Sequence, residues 1–291
     1  MRTSTDTARQ ANSEQAALWN DSSGRAWIDT QELLDELFRP FEKLLTDAVA
    51  AKSPVSVLDV GCGTGAVSLA IQQLLGARGR SVGIDISAPM IAAARDRAAR
   101  AGAAAEFIAG DAQTHAFEPA SFDLIVSRFG VMFFDDSVAA FRNLRRAAKK
   151  HAELRLLAWR GPQENPFMVT AEHAAKPLLP QLPTRDPDAP GQFAFAGRDR
   201  VAGILADSGW SDIDIQPVDV DCRFPAHELQ RYFSQLGPLA RFLRGADEAT
   251  RTRIIDAVRK AFDAYVHADE VRFTAACWMI AARAGTQGIG K

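Results

Sequence analysis

Residues Val55 to Gly65, reading Val-Ser-Val-Leu-Asp-Val-Gly-Cys-Gly-Thr-Gly, constrain the fold of this chain more than any other stretch. A short, β-branched apolar run carries one carboxylate near its end, then breaks into three alternating glycines. Such a run predicts a buried parallel strand that opens into a ligand-facing loop. Glycine suits that loop because the turn needs positive φ, and because a Cβ would stand between backbone and ligand. The loop alone leaves the ligand open, since Gly61, Gly63 and Ala66 also satisfy a permissive dinucleotide-binding fingerprint.

Three later segments narrow the reading. Ser81 to Ser87 predicts a second short strand ending in Asp85. That carboxylate follows the glycines by about 20 residues, where an α/β unit places an acid that holds ribose hydroxyls. Glu106 to Ala112 predicts a third strand ending in Asp111, and Phe122 to Phe129 a fourth that runs into a polar–aromatic loop. Four strand ends in order, three with carboxylates, define one ligand edge.

The succession DVGCGTG, GIDIS, GDA and FDLIVSRF resembles the class I S-adenosylmethionine-dependent methyltransferases, over roughly residues 54–160. The resemblance implies a Rossmann-like α/β fold: a seven-stranded, mostly parallel sheet with a C-terminal antiparallel hairpin and helices on both faces. It implies S-adenosyl-L-methionine as cofactor. Asp59, Gly61, Gly63 and Gly65 would face its methionine end, and Asp85 would accept from both ribose hydroxyls. Ile86 would pack on adenine, Asp111 would take the adenine amino group, and the Ala112 amide would meet a ring nitrogen. Ser127 and Arg128 would lie beside the sulfonium and the substrate. Trp19 and Trp27 resemble the cofactor-covering helix of small-molecule members, although both also suit plain helix packing. One departure is Lys149-Lys150-His151-Ala152, where relatives usually have a proline–glycine–glycine turn.

The chain is read as a single domain of 291 residues. Residues 1–13 are expected to be a disordered tail and 14–53 to form cap helices. Residues 54–160 are the cofactor-binding core, completed by 197–223 and 268–284. Residues 160–196 and 224–267 are expected to roof the carboxyl edge of the sheet as lid or substrate insertions, because ligands of open α/β sheets bind beyond the strand ends. The first is rich in proline, which argues for short helical pieces rather than one long helix.

Thirty-four basic and 36 acidic side chains leave a net charge of −2, which offers no broad field for nucleic-acid phosphates. The arginines at 95, 97, 100, 142, 145 and 146 read as solvated outer helix faces. Three scattered cysteines and five histidines show no metal-ligand spacing, so no metal is expected, and the cysteines suit a reducing, cytoplasmic setting. No apolar run reaches the length of a membrane span. Whether the chain is a monomer or a homodimer is open.

Methyl transfer from a sulfonium is an in-line displacement that needs positioning and exclusion of water, with a base only if the acceptor carries a proton. His115, Asp135, Glu172 and His173 are candidate bases, and none stands out. Arg128 could pair with an acidic substrate group, orient the methionine carboxylate, or pair structurally with Asp135. Phe129, Met132, Phe133, Trp159 and Phe167 could line an apolar acceptor pocket, or simply be core. Nucleic-acid and protein amine methylators of this fold commonly show Asn/Asp-Pro-Pro-Tyr after the fourth strand. Ser127-Arg128-Phe129-Gly130 instead favours a small-molecule acceptor, as in the quinone-biosynthesis and natural-product branch. The alternatives are an RNA or protein methyltransferase, a non-catalytic S-adenosylmethionine-binding protein and, last, a dehydrogenase.

Overall fold

A computed structural model describes residues 13–180, 186 and 189–285. The expected tail lies outside the described residues except for Ser13, which begins helical residues 13–20 (α1). Two further helices precede the sheet, α2 (Ser22–Asp29) and α3 (Gln31–Lys52). The α3 stripe Leu34, Leu37, Phe38, Phe41 and Leu45 is buried, as its helical spacing predicts.

The sheet then alternates strands and helices: β1 (Ser56–Val60), α4 (Ala66–Leu75), β2 (Arg80–Asp85), α5 (Ala88–Ala101), β3 (Glu106–Ala109), β4 (Phe122–Arg128), α6 (Ser137–Ala147) and β5 (Ala148–Trp159). All five residues of β1 are buried, as befits a central strand covered on both faces. Two helix starts follow the chemistry of their caps: the Ser87 hydroxyl accepts from Met90 N with Pro89 in the first turn, and Asp136 accepts from Ala139 N at 2.8 Å.

The remaining elements are α7 (Pro166–Ala175), α8 (Arg198–Asp207), β6 (Trp210–Pro225), α9 (Leu229–Gln235), α10 (Gly237–Gly245), α11 (Glu248–Ala261), the two-residue β7 (Val266–His267) and β8 (Glu270–Ala284). The sheet order is β3-β2-β1-β4-β5-β8-β6, with β7 pairing β8 beside this path. Strands β1 to β5 are parallel, and β8 runs antiparallel to both β5 and β6. The short β7 is an eighth strand, beyond the seven expected. Pro225 and Glu270 are cross-strand partners, so the α9–α11 segment leaves and rejoins the sheet at one point.

The glycine-free entry to β5 is solved by a bulge. The β4–β5 register slips between Phe122 and Leu124, and His151 takes φ +65°, the left-handed conformation a glycine would usually supply. The arginine clusters are less solvated than charge alone suggests. Arg97 pairs with Asp35 at 2.6 Å and donates to Thr64 O, Arg95 donates to Phe107 O, and Arg145 reaches Gly285 O.

Candidate active site

The carboxyl ends of β1, β2 and β4 converge on one cavity of about 430 Å³. Its floor is the loop after β1, where two glycines meet two different needs. The Cα atoms of Gly61 and Gly130 approach so closely that a Cβ on Gly61 would stand 2.5 Å from Gly130 Cα. Gly63, at φ +56°, has no atom nearer than Met90 Sδ at 3.9 Å where its Cβ would point, so its backbone is open to a ligand. Gly65, in the left-handed conformation, starts α4.

Asp85 ends β2 on the cavity wall, and its two oxygens accept from Gly63 N and Ser87 N, each at 2.8 Å. Burial pushes its carboxyl above the ordinary aspartate value, against those two amides. Ile86, Asp111 and Ala112 also line the cavity. Asp111 accepts from Gln113 N at 2.9 Å and from the Thr114 hydroxyl. Asp59 lies deeper. It accepts from Ser68 Oγ at 2.6 Å, and burial pushes it up to about 6. It faces a smaller cavity of about 30 Å³, shared with Gly61, Gly63, Thr64, Trp27 and Arg128.

Arg128 borders both cavities. Its guanidinium lies over the Phe38 ring at 5.3 Å, and Nη1 is buried without a hydrogen-bond partner. Burial lowers its pKa, against the fields of Asp35, Asp59 and Glu42. No ion pair with Asp135 forms, which removes the structural pairing considered for it. A buried guanidinium nitrogen without an acceptor is expensive, so this arrangement suits an anionic group arriving from outside the chain.

Other expected site residues are sorted by the side to which they point. Trp27, Phe129, Met132, Phe133 and Trp159 line the large cavity. Phe129 holds φ +65° and stacks on Trp159 with centroids 3.9 Å apart. Ser127 is turned away from it. Fully buried, it donates to Val60 O at 2.6 Å and accepts from Gly130 N, bracing the two loops from behind. Phe167 is also off the wall, stacked at 3.8 Å behind Phe273, which does line the cavity. Ser127 lies on the fourth strand and Phe167 after the fifth, as expected, but their side chains face inward. His115 packs edge-on against Phe117 and His173 is exposed, and neither borders the cavity. Glu172 does.

Two contributions escape sequence reasoning. Asn20 donates to Ile86 O at 3.0 Å and accepts from Ala88 N, and Ser87 Oγ donates to Trp19 O, so α1 is stitched across the end of β2. The α9–α10 region supplies Tyr232, Gln235, Arg241 and Arg244 to the opposite wall. Gly237-Pro238 marks a helix start but says nothing about which face of α10 looks inward.

Residues 57–151 match a family described as a methyltransferase domain. The chain is 30% identical over 205 residues to nocamycin O-methyltransferase of Saccharothrix syringae, covering 66% of this chain and 72% of that one. The chain belongs to the methyltransferase family. Its cofactor is S-adenosyl-L-methionine. Demethylmenaquinone methyltransferase of Renibacterium salmoninarum is 27% identical over 208 residues, covering 69% of this chain and 85% of the relative. Among solved structures, the YcgJ protein of Bacillus subtilis shares the fold, with a TM-score of 0.54 at 17% identity over 83% of this methyltransferase and 97% of that chain. The glycine floor, the acidic strand ends and the unpartnered Arg128 nitrogen fit an adenosylated amino acid, which joins ribose hydroxyls to a carboxylate. Among the described residues no histidine, cysteine or carboxylate cluster could hold a metal ion, and no helix is long and apolar enough to cross a membrane.

Proposed function

We propose that this methyltransferase acts on a small, largely apolar molecule seated in the large cavity, with the adenosyl end of the cofactor along the β1–β3 edge. The observation that carries this reading is the wall opposite those strand ends, where Trp19, Trp27, Met132, Phe133, Met168 and Phe273 surround the space next to the glycine floor. Relatives named for nocamycin and demethylmenaquinone support an acceptor of that kind.

When bound, the cofactor supplies an electrophilic methyl group with its own leaving group. In this reading, Asp85 accepts from the ribose hydroxyls, Ile86 packs on the adenine face, and Asp111 with the Ala112 amide reads the adenine edge. Arg128 receives the amino-acid carboxylate, and Asp59 sits beneath the glycine loop close to the amino group. The segments 160–196 and 224–267, with α1 and α2, roof the site and keep water out, so that positioning lowers much of the barrier. Glu172 is the carboxylate on the lid side of the cavity and is the group placed to accept a proton if the acceptor releases one. The three cysteines, all buried and unbridged, support a reducing, cytoplasmic setting.

Calorimetry with S-adenosylhomocysteine and with a nicotinamide dinucleotide tests the reading. Binding of the first and not the second is expected, and the reverse rejects it. Loss of tritiated methyl from the cofactor to an organic-extractable fraction, rather than to added RNA or protein, separates the acceptor classes.

A further inference from the structure

We propose that the methyl acceptor carries a carboxylate and that Arg241 and Arg244 on α10 receive it at the cavity mouth. This rests on reading the large cavity as the shared seat of cofactor and acceptor.

Arg241 and Arg244 stand three residues apart on one face of α10, and with Gly237 and Ala240 they form the stripe that lines the cavity. The opposite stripe, Leu239 and Leu243, is buried in the core, so α10 is held with this face toward the ligand space. Neither guanidinium makes a hydrogen bond or an ion pair among the described residues. Their neighbours differ. Arg231, on the preceding helix, reaches Asp29 O and pairs with Glu228, and Arg251, on the following one, donates to Leu243 O and Ala246 O. Of the arginines in this segment, Arg241 and Arg244 are the ones that line the cavity; both are exposed and without protein partners among the described residues, as are Arg253 and Arg259 on α11 away from it.

The three cations on the cavity wall are Arg128, Arg241 and Arg244. Arg128 belongs to the floor, beside the glycine loop. Two like charges at the mouth repel one another, and a carboxylate between them relieves that repulsion while forming charge-assisted hydrogen bonds. The deeper walls are aromatic and thioether, so the complementary molecule is amphiphilic: an apolar body directed at the floor and an acid directed at α10.

Dansylaminoundecanoic acid and its methyl ester, which removes that charge and adds one methyl group, both report binding by fluorescence. In the presence of S-adenosylhomocysteine, the wild-type chain should bind the acid more tightly than the ester. The double variant Arg241→Ala/Arg244→Ala should lose about tenfold in affinity for the acid and keep its affinity for the ester within about twofold. The control Arg253→Ala/Arg259→Ala, on exposed α11 positions off the cavity, should leave both unchanged. An acid that binds the double variant as well as wild type overturns the proposal, and so does an equal loss of acid and ester. Calorimetry with S-adenosylhomocysteine separates the two levels. A wild-type chain that does not bind it overturns the parent reading, whereas retained cofactor binding with unaltered acid affinity overturns the arginine assignment alone.

Discussion

The Asp85 carboxylate accepts the Gly63 amide at 2.8 Å, so the acid at the end of β2 holds the middle glycine of the loop after β1. One side chain therefore both borders the ligand space and fixes the loop that forms its floor. Its second oxygen, on Ser87 N, anchors the start of α5 at the same time. Replacing Asp85 with alanine leaves two amides without their acceptor and, on the proposed reading, also removes a ribose contact. Affinity for S-adenosylhomocysteine should fall by about 1–3 kcal/mol. Unchanged affinity by calorimetry would remove Asp85 from the cofactor site.

Arg128 presents a buried nitrogen with no acceptor. If it receives the amino-acid carboxylate of the cofactor, Arg128→Ala should weaken S-adenosylhomocysteine by about 1.5–3 kcal/mol, the scale of a hydrogen bond to a charged group. Methylthioadenosine, which lacks the amino-acid portion, should bind both proteins alike. Equal losses for the two ligands would show a general collapse of the site instead.

Gly130 faces Gly61 so closely that a new Cβ would lie 2.6 Å from both Gly61 Cα and Val60 O. Backbone on both sides leaves nothing soft to move. Gly130→Ala should cost about 1–3 kcal/mol of stability and displace the glycine floor. Urea denaturation gives the first effect and calorimetry the second, and a variant of normal stability and affinity contradicts this packing.

Ser127 is expected to matter through architecture. Ser127→Ala leaves the buried Val60 carbonyl and Gly130 amide without their hydroxyl partner, at a cost of about 1–3 kcal/mol in stability. The KM for the acceptor, measured below the unfolding transition, should change less than twofold. A large KM effect with normal stability would return Ser127 to the cavity wall.

Asp59 makes stability depend on pH in an unusual direction. Burial pushes it up to about 6, whereas an unfolded aspartate titrates near 4. A carboxyl with a raised folded-state value favours folding most when protonated. Its contribution is fully present below roughly pH 4 and is lost as the pH rises through about 6. Asp59→Asn keeps an acceptor for Ser68 and escapes that loss, so near pH 8 it should be more stable than wild type by about 1–3 kcal/mol. Urea melts should show the difference closing toward roughly pH 4. A difference independent of pH contradicts the assignment.

The strand ends were legible because each announces itself locally. A β-branched run closed by glycine or aspartate gives Asp59, Asp85 and Asp111 their places with no knowledge of the rest of the chain. Side-chain direction was less legible. Ser127 sits at the expected strand end, yet its hydroxyl is spent on Val60 O, and Phe167 opens the expected insertion but stacks behind Phe273. Contacts between distant segments were not legible at all. Asn20 meets Ile86 and Ala88 more than sixty positions away, and Arg97 joins α5 to Asp35. Amphipathic spacing identifies such residues only as polar, because a solvated face and a tertiary hydrogen bond leave the same pattern.

Strand β8 is last in sequence but lies between β5 and β6, and the α9–α11 segment departs at Pro225 and returns at Glu270, its neighbour across the ladder. Anything spliced between those two residues begins and ends at the same spot, whatever its length. Exchanging residues 226–269 for a relative's counterpart would therefore replace the Tyr232, Gln235, Arg241 and Arg244 side of the cavity while every β6–β8 rung stays in place.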